Sequence, residues 1–143
     1  MAFILIVDAS QAHANRASDV LTAAGHACGC VAGAEQAIAL LRWPVPDLVL
    51  LDQTIPGADG GTLPHQLRRI TGVADLPIIL LTSDSAGFPF RGAGSAVLDD
   101  IRKPFDPGFL AWRVESALEA HAGARAPERA VEHDARPGLR SLA

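Results

Sequence analysis

Polar side chains follow the predicted strands of this chain at the points where those strands end. Asp8 comes after the apolar run "FILIV", and Asp52 comes after "DLVLL". Thr82 and Ser83 follow "PIILL", and Lys103 follows the last predicted strand. Because ligands of open parallel sheets bind outside the carboxyl ends of the strands, we expect these side chains to meet at one edge.

The residue types gathered at this edge indicate phosphoryl chemistry. Two carboxylates in one site repel each other and attract a hard cation, and a site built of oxygen ligands suits Mg²⁺. A lysine in the same site neutralises a phosphoryl group during transfer. A carboxylate can accept that group as an aspartyl phosphate, and a hydroxyl can hydrogen-bond one of its oxygens.

The elements that must position these groups follow from the hydrophobic periodicity. Strands are predicted at 3–7, 26–31, 47–51, 76–81 and 97–101. Helices are predicted between Ser10 and Gly25, at 33–43, at 61–71 and after Asp106, with Ser10 and Asp106 as N-caps. Strands alternating with helices predict an α/β fold with a doubly wound parallel five-stranded sheet.

Two details of these elements are specific enough to check. The first helix is predicted to turn one stripe inward, made of His13, Ala17, Val20, Leu21 and Ala24. The segment 84–97 holds three glycines and a proline, so its helix is predicted to be short, distorted or partly unwound.

Length and composition indicate one globular domain. The chain has 143 residues, 49% of them hydrophobic and 20% charged, which is enough apolar material for a packed core. Residues 1–121 are predicted to form this domain. From 122 to 143 arginines, acids, prolines and glycines mix without periodicity, which predicts a flexible C-terminal tail.

Charge and hydropathy exclude several partners. A net charge of −4 argues against non-specific binding to nucleic acid or to an acidic membrane surface. No apolar run reaches membrane-spanning length, and no basic region precedes the N-terminal apolar stretch, so we expect a cytoplasmic protein. The tail is too short for a helix-turn-helix module with its own core.

The cysteines and histidines offer no clear site. Cys28 and Cys30 would share one face of a strand with nearly parallel Cβ vectors, a poor geometry for a disulfide, so we interpret them as small core residues. A role in redox sensing or metal binding is left open. The five histidines lack metal-ligand spacing and are interpreted as surface or partly buried residues.

Four motifs in register resemble the response-regulator receiver domain. They are "ILIVD", "DLVLLD" with its following "PG" and "DG", "PIILLTS" and "KPF", and the resemblance covers about residues 3–121. It implies a CheY-like, flavodoxin-like (βα)5 fold with strand order 2-1-3-4-5.

The resemblance also implies roles for the strand-end residues. Asp52 would accept a phosphoryl group from a phosphohistidine of a sensor histidine kinase or a phosphotransfer protein. Asp8, Asp52 and the backbone carbonyl of Thr54 would hold Mg²⁺. Thr82 would move toward the phosphoryl group as part of the switch, and Lys103 would pair with it.

Three departures from the family pattern stand out. Receivers usually end their first strand with two adjacent acids, but here Ala9 replaces the second, which predicts weakened Mg²⁺ binding. An aromatic switch residue commonly precedes the lysine by three positions, where this chain has Asp100. The third departure is the glycine- and proline-rich segment 84–97. The Lys103–Pro104 peptide is expected to be cis, as in the family.

Three functional hypotheses remain. The first is a receiver phosphorylated on Asp52 that signals by protein–protein contact and catalyses only its own phosphorylation and dephosphorylation. The second is a pseudo-receiver that binds partners without phosphate, its Lys103 and Asp52 locked in an inert salt bridge. The third, a small flavodoxin-like enzyme or nucleotide binder, ranks last because no glycine-rich loop follows the first strand. The kinase, the downstream partner and homodimerisation are left open.

Overall fold

The computed structural model of the chain describes residues 1–41, 45–57, 62–73, 75–82 and 99–134; for Leu41, Asp99 and 122–134 it describes the backbone alone. The strands are β1 (Phe3–Val7), β2 (Ala27–Val31), β3 (Leu48–Asp52), β4 (Ile78–Thr82) and β5 (Asp99–Arg102). The helices in this part of the chain are α1 (Gln11–Ala23), α2 (Ala34–Leu41), α3 (Leu63–Thr71) and α4 (Pro107–Asp134).

The strands form one parallel sheet in the order β2-β1-β3-β4-β5, which confirms the predicted flavodoxin-like topology. On β1, Ile4 pairs with Cys28 of β2 on one side and with Leu48 of β3 on the other. The order places β1, β3 and β4 inside the sheet and β2 and β5 at its edges. The carboxyl ends of all strands therefore lie along one edge, as the site prediction requires.

Side chains of the three inner strands alternate between two cores, one on each face of the sheet. One core packs against α1 and α4 and contains Ile4, Ile6, Leu48, Leu50, Ile79 and Leu81. The other packs against α2 and α3 and contains Leu5, Val7, Val49, Leu51, Ile78 and Leu80. Burial on both faces explains why these strands appear in the sequence as continuous apolar runs.

Helix α1 begins and ends as the sequence predicts. The Ser10 hydroxyl accepts a hydrogen bond from the His13 N–H at 3.3 Å, so Ser10 is the N-cap. Gly25 follows the helix with φ +99°, a conformation that a residue with a side chain rarely adopts.

The inward stripe of α1 differs from the prediction. Its buried residues are Ala14, Ala17 and Leu21, whereas His13 and Ala24 are exposed. The actual stripe is rotated by one residue at its start, where Cys30 Sγ of β2 lies 3.8 Å from the Ala14 carbonyl oxygen. His13 instead faces the edge of the sheet where the strands end.

Helix α4 begins as predicted and ends later. Asp106 caps it by accepting the Phe109 N–H at 2.9 Å, and Pro107 occupies its first turn. The sequence predicts a tail from residue 122, yet the helical backbone continues through Asp134. This stretch is rich in alanine, arginine and glutamate, which favour a helix, but it also contains a glycine and a proline, which disfavour one, and it has no periodic apolar stripe. Flexibility of 122–143 stays a prediction.

Two further expectations concern the crossover before β5 and the cysteines. The irregular helix expected at 84–97 lies outside the described residues. Cys28 and Cys30 are free thiols on the edge strand β2; Cys28 is half-buried and Cys30 exposed, so they are less buried than core residues. No helix in the described part of the chain combines the length and apolar character needed to cross a membrane.

Candidate functional site

Asp8 follows β1 and is enclosed by the protein. Its side chain is 0% exposed, although a buried carboxylate is costly unless paired. Oδ1 accepts a hydrogen bond from the Ser10 N–H at 2.9 Å. Oδ2 accepts no hydrogen bond but lies 2.8 Å from the ammonium of Lys103, an ion pair whose angles fall short of a hydrogen bond.

Asp52 is the last residue of β3, and its carboxylate turns back onto the chain that follows. Oδ1 accepts the Thr54 N–H at 3.3 Å and Oδ2 accepts the Thr54 hydroxyl at 3.0 Å. These bonds close the turn after the strand, a common use of aspartate. The Lys103 ammonium lies 3.7 Å from Oδ2, and the Asp52 side chain is 10% exposed.

Thr82 and Lys103 reach the site from the neighbouring strands. Thr82 ends β4, is buried, and its carbonyl accepts the Lys103 N–H at 2.7 Å. This bond extends the β4–β5 pairing by one residue and fixes where the lysine side chain begins. The Lys103–Pro104 peptide is cis, as the resemblance implies.

The structure therefore brings most of the predicted residues together. Asp8, Asp52 and Lys103 are joined by direct contacts, Thr54 is bonded to Asp52, and Thr82 is bonded to Lys103 through its backbone. Asp100 lies on β5 opposite Leu80 and is half-buried. Ser83 lies outside the described residues.

One contact of the site was not predicted. Nδ1 of His13 lies 3.1 Å from the Lys103 ammonium, whereas the sequence predicts no functional role for this histidine. The sequence contains one feature that could have indicated this contact. His13 is the third residue after Ser10, the N-cap that follows β1, so it lies in the first turn of α1 at the same edge of the sheet as Asp8.

The donors suit a hard cation but are few. Asp8 and Asp52 offer carboxylate oxygens and Thr54 a backbone carbonyl, an oxygen set of the kind that Mg²⁺ prefers. Within the described residues, no group of three or more His, Cys, Asp or Glu is arranged to hold a metal. With Lys103 present, two carboxylates and one ammonium leave the site a formal charge of −1.

Ala9 occupies an open position beside this donor set. It is exposed, and it lines both a cleft of about 300 Å³ with Asp8 and Asn15 and a wider one of about 670 Å³ with Thr54 and Glu35. A carboxylate at position 9 therefore has room. The chemistry of the donors fits Mg²⁺.

Comparison with known families and sequences gives a consistent result. The family described as "Response regulator receiver domain" matches residues 4–115. Response regulator PleD of Caulobacter vibrioides is 32% identical over 114 residues, which are 79% of this chain and 25% of PleD. The phosphate regulon transcriptional regulatory protein PhoB of Pseudomonas aeruginosa is 34% identical over 116 residues, 80% of this chain and 51% of PhoB. The chain thus spans between a quarter and a half of these relatives.

Solved structures share the same fold. A putative response regulator from Chloroflexus aurantiacus has a TM-score of 0.73 and 31% sequence identity, covering 82% of this chain and 98% of that one. Chemotaxis protein CheY4 of Vibrio cholerae has a TM-score of 0.72 at 24% identity, covering 82% of this chain and 98% of its own, and supports the fold alone.

Proposed function

The chain belongs to the response regulator receiver domain family, and on that premise we propose that Asp52 accepts a phosphoryl group from a phosphohistidine. The donor is a sensor histidine kinase or a phosphotransfer protein, and the role is signal transduction by phosphorelay. One observation carries the proposal: Asp52 ends β3 beside the Lys103 ammonium, at 3.7 Å, and keeps part of its carboxylate open to solvent.

The transfer exchanges one bond to phosphorus for another. An Asp52 carboxylate oxygen attacks the phosphorus atom, and the new O–P bond forms as the P–N bond breaks. The imidazole nitrogen of the donor leaves with the bonding electron pair and then takes a proton from solvent. Negative charge builds on the phosphoryl oxygens during this step, so catalysis consists largely of positioning and charge neutralisation.

The residues around Asp52 serve that need. Lys103 is a compact cation at the end of a long stem, and it can follow a phosphoryl oxygen as charge develops. The Thr54 N–H and hydroxyl hold the Asp52 carboxylate in place before the reaction. Thr82, next to it on β4, offers a hydroxyl to the phosphoryl group once the aspartyl phosphate has formed.

Mg²⁺ belongs to the proposed site. Asp8, Asp52 and the backbone carbonyl of Thr54 would hold it, and it supplies positive charge for the phosphoryl oxygens when bound. Ala9 contributes no ligand, which predicts a site of low affinity because affinity for hard cations follows the number of charged ligands.

The proposed output is a protein–protein contact. Movement of the Thr82 hydroxyl toward the phosphoryl group would alter the surface formed by β4 and β5. This surface includes Asp100. The partner is a downstream protein or a second copy of this chain, in the cytoplasm, and the acidic net charge argues against direct binding of nucleic acid. We propose no enzymatic activity beyond gain and loss of its own phosphoryl group.

A second candidate is a receiver that signals without phosphate. Ala9 favours it, because Asp52 would be phosphorylated slowly if the site binds Mg²⁺ with low affinity. In that case the ion pairs of Lys103 with Asp8 and Asp52 are a permanent structural feature. The fold then acts as a binding module with a constant surface.

Intact-mass measurement separates the two candidates. The protein is incubated with acetyl phosphate over a range of Mg²⁺ concentrations, and in parallel with a phosphorylated histidine phosphotransfer domain. The receiver hypothesis predicts gain of one phosphoryl group by the wild type and by the control Asp19→Asn, an exposed position on α1, but not by Asp52→Asn. No gain from either donor supports the phosphate-independent module.

A further inference from the structure

His13 is held at the edge of the site by the start of α1. The Ser10 hydroxyl accepts the His13 N–H at 3.3 Å, and the Ser10 N–H in turn donates to Asp8 Oδ1 at 2.9 Å. The backbone between Asp8 and His13 is therefore fixed by two hydrogen bonds. The imidazole of His13 is therefore attached at a fixed position near the carboxylate of Asp8, the residue that follows β1.

The His13 ring is connected to Asp8 through Lys103. Nδ1 of His13 lies 3.1 Å from the Lys103 ammonium, which lies 2.8 Å from Asp8 Oδ2. An ammonium carries only donors, so Nδ1 must accept. The imidazole is then neutral in this contact, with its proton on Nε2, an assignment that follows from the hydrogen bond.

Lys103 thus has two near partners and one more distant partner. The ammonium is closer to Asp8 and His13 than to Asp52 Oδ2, which lies at 3.7 Å. The lysine stem is long and has many rotamers, so Asp8 alone does not determine where the ammonium sits. A full salt bridge to Asp52 would stabilise the carboxylate that has to act as nucleophile.

We propose that His13 is a positioning residue that holds the Lys103 ammonium on the Asp8 side of the site, so that Asp52 stays available as phosphoryl acceptor. This inference rests on the proposed function of Asp52. Nδ1 accepts one N–H of the ammonium and holds its nitrogen within 2.8 Å of Asp8 Oδ2 and 3.7 Å of Asp52 Oδ2. When His13 is removed, Lys103 closes onto Asp52 and phosphorylation slows.

Three substitutions of His13 test the geometry by the rate of phosphorylation with acetyl phosphate. Asn places its Oδ1 where Nδ1 lies, Gln places an oxygen near the Nε2 position, and Leu has no acceptor. Asn and His have similar helix propensity, so Asn does not disturb α1. Loss of one exposed hydrogen bond to a charged group predicts a decrease of roughly three- to tenfold for His13→Leu and His13→Gln.

The conservative variant distinguishes positioning from a structural role. We expect His13→Asn to restore the rate to within about twofold of wild type, since it keeps the acceptor that the ammonium needs. His65→Asn, the same change at an exposed histidine on α3, serves as control and leaves the rate unchanged. Equal rates for wild type, His13→Leu and His13→Gln would overturn the proposal.

A spectroscopic comparison keeps this test independent of the proposed function. ¹⁵N NMR of the unphosphorylated protein reports whether Nδ1 of His13 accepts a hydrogen bond, and we expect that signature to disappear in Lys103→Met. Absence of phosphorylation in the wild type would contradict the function of Asp52 and leave this comparison valid. Identical Nδ1 shifts in wild type and Lys103→Met would overturn the proposed contact.

Discussion

The ammonium of Lys103 lies 2.8 Å from Asp8 Oδ2 and 3.7 Å from Asp52 Oδ2, so Asp8 is the nearer of the two partners. In this resting arrangement the lysine neutralises the buried carboxylate on the β1 side. An aspartyl phosphate at position 52 would carry about two negative charges where the carboxylate carries one, and this additional charge would draw the ammonium toward it. The ion pair between Lys103 and Asp8 therefore contributes to the stability of the fold, and the same lysine takes part in the proposed phosphorylation of Asp52.

Substitution of Lys103 by Met is expected to cost stability as well as phosphorylation. It leaves the fully buried Asp8 carboxylate without a countercharge, a change that costs roughly 3 kcal/mol of unfolding free energy. Urea denaturation measures the loss. The double variant Asp8→Asn/Lys103→Met should recover part of it, and equal stability of the single and double variants would contradict the pairing.

Placing an acid at position 9 is expected to tighten Mg²⁺ binding. Ala9→Asp adds a charged oxygen ligand in a cleft that has room for it, so the dissociation constant should fall by about an order of magnitude. Isothermal titration calorimetry measures the change, with Ala120→Asp on the exposed face of α4 as control. Unchanged affinity in Ala9→Asp would mean that this position does not face the metal site.

His26 is expected to stabilise the opposite end of the sheet. This buried ring accepts the Ala2 N–H through Nδ1 at 3.1 Å, and its Nε2 is paired with Glu115 of α4. His26→Leu leaves both groups without their partner, which costs roughly 1–3 kcal/mol of unfolding free energy. Glu115→Gln keeps an acceptor for Nε2 and should cost less; the reverse order in urea denaturation would contradict this account.

The thiols of β2 are expected to react slowly. Burial raises the pKa of the Cys28 and Cys30 thiols above their ordinary value of 9.0, and hydrogen bonds from Ser18 and Thr22 oppose it only in part. At about pH 8 the native protein should therefore react more slowly with iodoacetamide than the protein in urea. Equal rates in the two states would contradict the shift.

The same thiols affect stability at high pH. A pKa raised in the folded state means that the folded protein keeps a proton that the unfolded chain loses. Their contribution is complete below pH 9.0 and decreases as pH rises through the folded pKa. Replacing both cysteines by Ala should flatten the decrease of stability above pH 9.0.

The sequence predicts the topology and much of the site for one physical reason. Buried parallel strands appear as apolar runs, and the residue after each run lies at the edge of the sheet where ligands bind. Asp8, Asp52 and Lys103 could therefore be placed together without coordinates. The N-caps Ser10 and Asp106 were predictable because capping depends on local hydrogen bonds.

Other features depend on three-dimensional packing. The inward side of α1 is one such feature: periodicity places His13 on the inward stripe, whereas the buried residue in that turn is Ala14. The exposure of Cys28 and Cys30 follows from the edge position of β2, which depends on strand order. The end of α4 at Asp134 could not be predicted from periodicity, since residues 122–134 have no apolar stripe and their glycine and proline favour an earlier end.

The central claim, that Asp52 is the phosphoryl acceptor, is tested most directly by locating the modified residue. Sodium borohydride reduces an aspartyl phosphate to homoserine, which peptide mass spectrometry can assign to one position. After treatment with a phosphodonor and Mg²⁺, the account predicts homoserine at position 52 and unmodified aspartate at positions 8 and 100. Phosphoryl uptake with unmodified Asp52, or homoserine at another position, would contradict it.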